Sequence, residues 1–208
     1  MKERAAWEAV RLVDGTKVDW RLVSQDLIDA VMEAEPVAEL ASKWGLPCRT
    51  VANWEAGRRY PTAARWLELC RARGINVAQA FNRFSPGSRV GEEIWAESIE
   101  LALQRWLSLL EARMSIRELA ERGGFSRKTV AGWLSGRSCP RLPQFLVVVQ
   151  LMTGEVERLV GALLPGGVYS LELRRPLRQR ASITLGRWLD RRRRRSDLRP
   201  RRGPRRFW

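Results

Sequence analysis

A segment of this chain occurs twice, the second copy 79 residues after the first and alignable with it without a gap. Residues 39–61 read ELASKWGLPCRTVANWEAGRRYP and residues 118–140 read ELAERGGFSRKTVAGWLSGRSCP. Leu40/Leu119, Ala41/Ala120, Gly45/Gly124, Thr50/Thr129, Val51/Val130, Trp54/Trp133, Gly57/Gly136, Arg58/Arg137 and Pro61/Pro140 coincide. Agreement at so many spaced positions means that one small helical unit is built twice. Whatever the chain folds into must accommodate two related bodies.

The spacing says what each body is made of. Ala41 and Ala120 are small where two helices cross closely, and Gly45 and Gly124 permit a tight turn after them. Val51 and Trp54, like Val130 and Trp133, lie three apart and pin a second helix to a core. Positions 48, 49, 52 and 53 then face outward, as do 127, 128, 131 and 132. That outward set is where the copies differ most, although Ala52 and Ala131 still match.

Charge identifies the class of partner. The 208 residues carry a formal net charge of +15, pointing to nucleic acid or an anionic membrane surface. From Leu171 to the end, fifteen arginines face only Glu172, Asp190 and Asp197. Within the repeats, the stretch from Ser42 to Leu67 holds one acid, Glu55, and that from Arg122 to Gly154 holds none. No apolar run is long enough to span a bilayer and the first residues lack a signal-peptide core, so a cytoplasmic protein at the nucleoid is expected, with no membrane partner. Histidine is absent, and the three cysteines share no metal-binding spacing. Neither a metal nor another cofactor is expected, and no catalytic residue emerges, so an enzyme is not expected either.

Along the chain, residues 1–23 suggest a β-hairpin, with Val10–Val13 and Val18–Leu22 flanking Asp14-Gly15. A helix is expected from about Gln25 to Glu33 with Ser24 as its N-cap. Further helices are expected over about 37–44, 48–55, 61–73 and 76–84, and residues 85–88 form a linker. The second unit should open with one long helix over about 92–112. Helices from Ile116, behind a capping box at Ser115 and Glu118, and from Arg127, capped by Ser126, follow. Residues 142–152 and 155–164 complete five. Alternation at Tyr169, Leu171 and Leu173 suggests a strand, with 182–188 as its partner, and the Arg-rich end reads as a tail. The expected architecture is mainly α, with two tandem five-helix domains at 24–86 and 87–165. The segments 1–23 and 166–208 flank them, carrying small β elements and the basic tail.

The pattern Leu-Ala-x-x-x-Gly, then Thr-Val-x-x-Trp-x-x-Gly-Arg-x-x-Pro, resembles the helix-turn-helix of the Cro and lambda-repressor-like proteins, the xenobiotic-response-element family. The resemblance covers about residues 24–84 and again 91–165. It implies that the second helix of each pair enters the DNA major groove, where Arg reads guanine and Asn reads adenine. The base-reading set it implies is Cys48, Arg49 and Asn53 in the first unit, and Arg127, Lys128 and Gly132 in the second. Gly132 adds no reach, but its smallness lets the helix sit deep. Phosphate contacts are implied for Thr50, Arg58, Arg59, Ser126, Thr129 and Arg137. Pro47 stands where the family favours a capping Ser or Thr, Cys48 where it favours a polar reader, and Leu134 where the first unit has Glu55. The two units are therefore expected to read different sequences.

The implied function is a sequence-specific transcriptional regulator of double-stranded DNA, of bacterial, phage or mobile-element type, covering two half-sites about 10 bp or a multiple apart. RNA polymerase or another protein is a further candidate partner, and the chain is a candidate for dimerisation. Two other classes compete: an architectural or assembly subunit of a recombination or replication complex, and RNA binding through the arginine tail. Helix-turn-helix units also serve as protein-binding modules. Helical spacing reads Trp54, Trp66, Trp106 and Trp133 as core rather than stacking platforms, and Cys48 as an inert small side chain rather than a redox sensor. The run Arg191, Arg192, Arg193, Arg194 and Arg195 is expected to touch phosphate non-specifically.

Overall fold

A computed structural model describes residues 18–32, 35–84, 89–111 and 114–164, all within one compact unit that ends at Arg174. These residues form eleven α-helices. In order they are α1 (Trp20–Met32), α2 (Val37–Lys43), α3 (Cys48–Glu55), α4 (Ala63–Ala72), α5 (Val77–Phe84), α6 (Glu92–Glu97), α7 (Ile99–Glu111), α8 (Ile116–Gly123), α9 (Arg127–Leu134), α10 (Leu142–Thr153) and α11 (Val156–Ala162). Among the described residues there is no strand, only an isolated bridge between Thr62 and Arg141.

The repeat extends well beyond the segment in which it is visible as identity. Helices α7 to α11 each begin 79 residues after α1 to α5, and α1 and α7 have the same length, as do α3 and α9. The turn recurs down to its hydrogen bonds. Gly45 and Gly124 hold φ of +60° and +68°, and the next N–H, of Leu46 or Phe125, donates to the carbonyl of Ala41 or Ala120. A side chain with a Cβ resists this left-handed conformation, which is why glycine occupies both turns.

Three expectations give way to capping chemistry. The second half of the expected hairpin is the start of a helix: the Asp19 carboxylate accepts the N–H groups of Arg21 and Leu22 at 3.0 and 3.1 Å, so the chain turns helical at Trp20. Ser24, expected to cap that helix, lies buried inside it and donates its hydroxyl to the Trp20 carbonyl at 2.7 Å. The expected long helix over 92–112 is broken at Ser98, whose backbone is extended and whose Oγ accepts the Leu101 N–H at 3.2 Å, capping α7 afresh. The first half of the hairpin, the linker at 85–88, the strands after residue 165 and the arginine tail lie outside the described residues.

The two halves share one core. Helix α4 packs on α10 and α5 on α11, while α1 packs on α10 and, reciprocally, α4 on α7. Phe81 of α5 anchors an aromatic cluster, with its ring 4.6 Å from Trp95, 5.0 Å from Trp106 in an edge-to-face arrangement, and 6.4 Å from Phe145. Trp66, Trp106 and Phe145 are fully buried. Trp54, Trp66, Trp106 and Trp133 are thus core residues, as helical spacing predicts.

At the seam, the Ala63 N–H donates to the Pro140 carbonyl at 2.8 Å and the Leu142 N–H to the Pro61 carbonyl at 2.9 Å. Pro61 and Pro140 are repeat mates, and so are Ala63 and Leu142. Each bond maps onto the other when the halves are exchanged, which is the signature of a two-fold relation. Arg141 reinforces the seam by donating from Nη1 to the Tyr60 carbonyl at 2.9 Å.

Candidate nucleic-acid interface

Helix α3 is fixed from beneath and free above. Val51 and Trp54 are buried beneath it, and the helix packs on α1 and α2. Its C-terminal end is tied down by Gln25, whose Nε2 donates to the Glu55 carbonyl at 3.1 Å. Cys48 and Arg49 are exposed at its start and Thr50, Ala52 and Asn53 are half-buried. Pro47 supplies no side-chain cap. After the helix, Gly57 takes φ of +64° and the chain folds back, so that the N–H groups of Arg58 and Arg59 both donate to the Asn53 carbonyl. That fold leaves the Arg58 and Arg59 side chains exposed beside the helix.

Helix α9 repeats this scaffold with different chemistry. Val130 and Trp133 face inward, and the Trp133 ring meets Phe125 edge to face at 5.0 Å. Ser126 caps the helix by accepting the Thr129 N–H at 3.1 Å, and the two hydroxyls lie 2.7 Å apart. Arg127 and Lys128 are exposed at the first turn. Arg127 meets the Glu121 carboxylate at 3.4 Å, and the same carboxylate binds Arg117 at 2.9 Å. The Arg117 hydrogen bond, more than Arg127, holds the Glu121 carboxyl below the usual carboxylate range. Arg137 is exposed and donates to the Ser135 hydroxyl.

Gly132 does not face outward as its position in the repeat implied. It is buried, because the segment after α9 folds over it: the Ser138 N–H donates to the Gly132 carbonyl at 3.1 Å, and a Cβ at 132 would stand 2.9 Å from the Ser138 hydroxyl. Its mate Asn53 carries the same backbone bond but remains half-buried. Leu134 likewise turns inward where Glu55 is only half-buried.

A further pair of repeat mates supports the two outward helices. Gln25 and Gln104 are also 79 residues apart, in α1 and α7, and each lies against the left-handed glycine that follows the outward helix. A Cβ on Gly57 would stand 3.0 Å from Gln25 Oε1, and one on Gly136 would overlap the Gln104 amide. The spacing of Gln25 and Gln104 is legible in the sequence, but they lie outside the segment 39–61 and its copy 118–140. In the second half the Ser108 hydroxyl reaches the outward helix, its one proton shared between the Gln104 carbonyl of its own helix at 3.0 Å and the Leu134 carbonyl at 3.2 Å.

The exposed set brought to these two helices is therefore Cys48, Arg49, Arg58 and Arg59 in one half and Arg127, Lys128 and Arg137 in the other. Thr50, Asn53, Ser126 and Thr129 stand half-buried at the same helices. Cations on rigid, core-anchored helices can engage phosphate or base edges without ordering a flexible loop. Arg191–Arg195 lie outside the described residues. Burial pushes the Cys70 and Cys139 thiols up, away from reactive thiolate. Among the described residues no group of three or more His, Cys, Asp or Glu side chains could hold a metal ion, and no helix is long and apolar enough to cross a membrane. No protein-family model, curated protein or solved structure matches the chain.

Proposed function

We propose that this chain is a sequence-specific, double-stranded DNA-binding transcriptional regulator in which α2–α3 and α8–α9 act as two helix-turn-helix readers. The observation that carries this reading is the recurrence of one rigid scaffold under two different basic surfaces. Val51/Val130 and Trp54/Trp133 are buried in both halves, while Arg49 in one and Arg127 and Lys128 in the other are exposed. In this reading α3 and α9 enter the major groove at successive places. Arg49 and Arg127 take guanine edges, Asn53 an adenine edge, and Arg58, Arg59 and Arg137 hold phosphate. Cys48 and Lys128 complete the base-facing set, and Thr50 and Thr129 add hydroxyls near the backbone. Gly132 and Ser126 support the second reader from within, the one as a buried close contact and the other as a cap.

The test is a double substitution, Arg127→Ala with Lys128→Ala, on helix positions whose side chains are not part of the core. Each lost base contact costs about 1–3 kcal/mol, so specific binding should weaken tenfold or more while the circular-dichroism spectrum and melting stay unchanged. A footprint identical to that of the parent chain would sink the assignment. Competition among a selected duplex, random duplex and structured RNA separates this reading from RNA binding, and a promoter reporter separates it from an architectural role.

A further inference from the structure

The seam between the two halves specifies the arrangement of the DNA site, not only its class. Resting on the DNA-reading proposal above, we infer that one copy of the chain reads an inverted pair of dissimilar half-sites whose centres lie one helical turn apart. The Ala63–Pro140 and Leu142–Pro61 hydrogen bonds exchange into one another when the halves are swapped. So do the α1–α10 and α4–α7 packings, while α4–α10 and α5–α11 map onto themselves. Halves joined this way are related by rotation about an axis that passes between Thr62 and Arg141, not by translation along the chain.

A two-fold rotation leaves the component along its axis unchanged, so in the DNA-reading proposal, where α3 and α9 engage one duplex, they meet it from the same side when that duplex lies across the axis. Across the axis it reverses direction, so the parts of the two helices that lie across the axis run in opposite senses. Duplex DNA has its own two-fold axes perpendicular to its length, and readers related in this way meet opposite strands. The preferred site is then an inverted repeat. A direct repeat, which two domains in tandem on a flexible linker would suit equally well, does not match this geometry.

Chain length limits the spacing. Thr62 follows Glu55, the last residue of α3, by seven residues, and Arg141 follows Leu134 by the same number. At no more than about 3.6 Å per residue, plus about 5 Å of helix, the middle of α3 lies within roughly 30 Å of the bridge. The true distance is shorter, because the chain folds back at Gly57 onto the Asn53 carbonyl. Half-sites one turn apart need each reader about 17 Å from the axis, and half-sites two turns apart need about 34 Å. Only the first lies within reach.

The halves of the site differ because the readers do. Arg49 and Asn53 occupy one outward face, and Arg127 and Lys128, with a buried glycine at the mate of Asn53, occupy the other. The site is thus an inverted repeat in its placement without being a palindrome in its bases.

Selection of bound duplexes from a random pool by the full chain tests this, followed by mass measurement of the complex with the enriched duplex. Two unlike half-sites on opposite strands, centred about 10 bp apart, with one chain bound, are expected. Inserting five base pairs between them turns one half to the far side of the duplex and should lower affinity at least about tenfold. A direct repeat, a spacing near 20 bp, tolerance of the insertion, or two chains on one site would each overturn the inference while leaving DNA reading intact. A pool with no enrichment would overturn the DNA-reading proposal itself, and this inference with it.

Discussion

Arg127 has a competitor within its own chain. The Glu121 carboxylate holds it at 3.4 Å while also bonding Arg117, and all three side chains are more than half exposed. Ion pairs this open are weak and screened by salt, so an incoming phosphate or guanine can displace the carboxylate. In the DNA-reading proposal, Glu121 therefore lowers affinity modestly, both by occupying Arg127 and by placing negative charge near the duplex. Replacing it, Glu121→Gln, should tighten specific binding about two- to fivefold at low salt, the gain shrinking as ionic strength rises. A titration showing equal or weaker binding would place Arg127 away from the DNA. The pH dependence follows from the direction of the Glu121 shift. A carboxyl with a lowered folded-state pKa contributes stability above its ordinary value, and that contribution fades only as pH falls through the lowered one. The pair is therefore intact at neutral pH, and the chain contains no histidine. Affinity measured between about pH 6 and pH 8 should be flat.

At the scale of elements, α3 and α9 are the same helix capped in two ways. Ser126 accepts the Thr129 N–H, whereas Pro47 offers no side-chain acceptor. Loss of a serine cap costs about 1 kcal/mol, so Ser126→Ala should lower unfolding free energy by that amount. Pro47→Ser gains a similar cap but releases the unfolded chain from proline's constraint, worth about 0.4–1 kcal/mol in the opposite sense. It should leave stability nearly unchanged. Denaturant midpoints of the two variants check both; equal losses would mean the Ser126 hydroxyl is not acting as a cap. The same local chemistry explains which helices could be read from sequence. The starts at Ile116 and Arg127 were legible because Ser115 and Ser126 are caps preceding apolar spacing, and α3 was legible because its repeat mate has the same length. Asp19 and Ser98 are caps of the same kind, but each sits in a run whose apolar pattern suits another structure. Val18, Trp20 and Leu22 alternate as a strand would, and the apolar residues of 92–111 fit one unbroken helix. Gly132 was misplaced for a different reason: helical spacing gives the direction of a side chain, not what folds over it from four to six residues later.

Across the whole molecule, the apolar stripes of α4, α5 and α10 announced that these helices were buried without saying against what. The structure answers that they are buried against each other across the repeat. Helix α10 packs on α1 and α4 of the first half as well as on α8 and α11 of its own, with Leu142, Phe145, Leu146, Val147 and Val149 fully enclosed. Phe81, Phe84 and Phe145 meet around Trp106, so the aromatic cluster also belongs to neither half alone. Truncating a buried Phe costs about 3–5 kcal/mol, and removing one half would uncover several such side chains at once. That loss is comparable to the whole stability of a small domain, about 5–15 kcal/mol. The full chain should therefore unfold in a single cooperative transition. A fragment of residues 1–90 should show none, because the faces of α4 and α5 that meet α7, α10 and α11 would have nothing to pack on. Phe145→Ala offers a check that keeps the chain whole. Although its site lies in the second half, it should shift the denaturation of Trp20 and Trp54 in the first by the same amount as that of Trp133 in the second. This can be followed by hydrogen exchange in each half. Two transitions, or protection lost in one half alone, would mean that the repeats fold as separate domains. Helices α3 and α9 would then lack the fixed two-fold relation on which the proposed single spacing of half-sites depends.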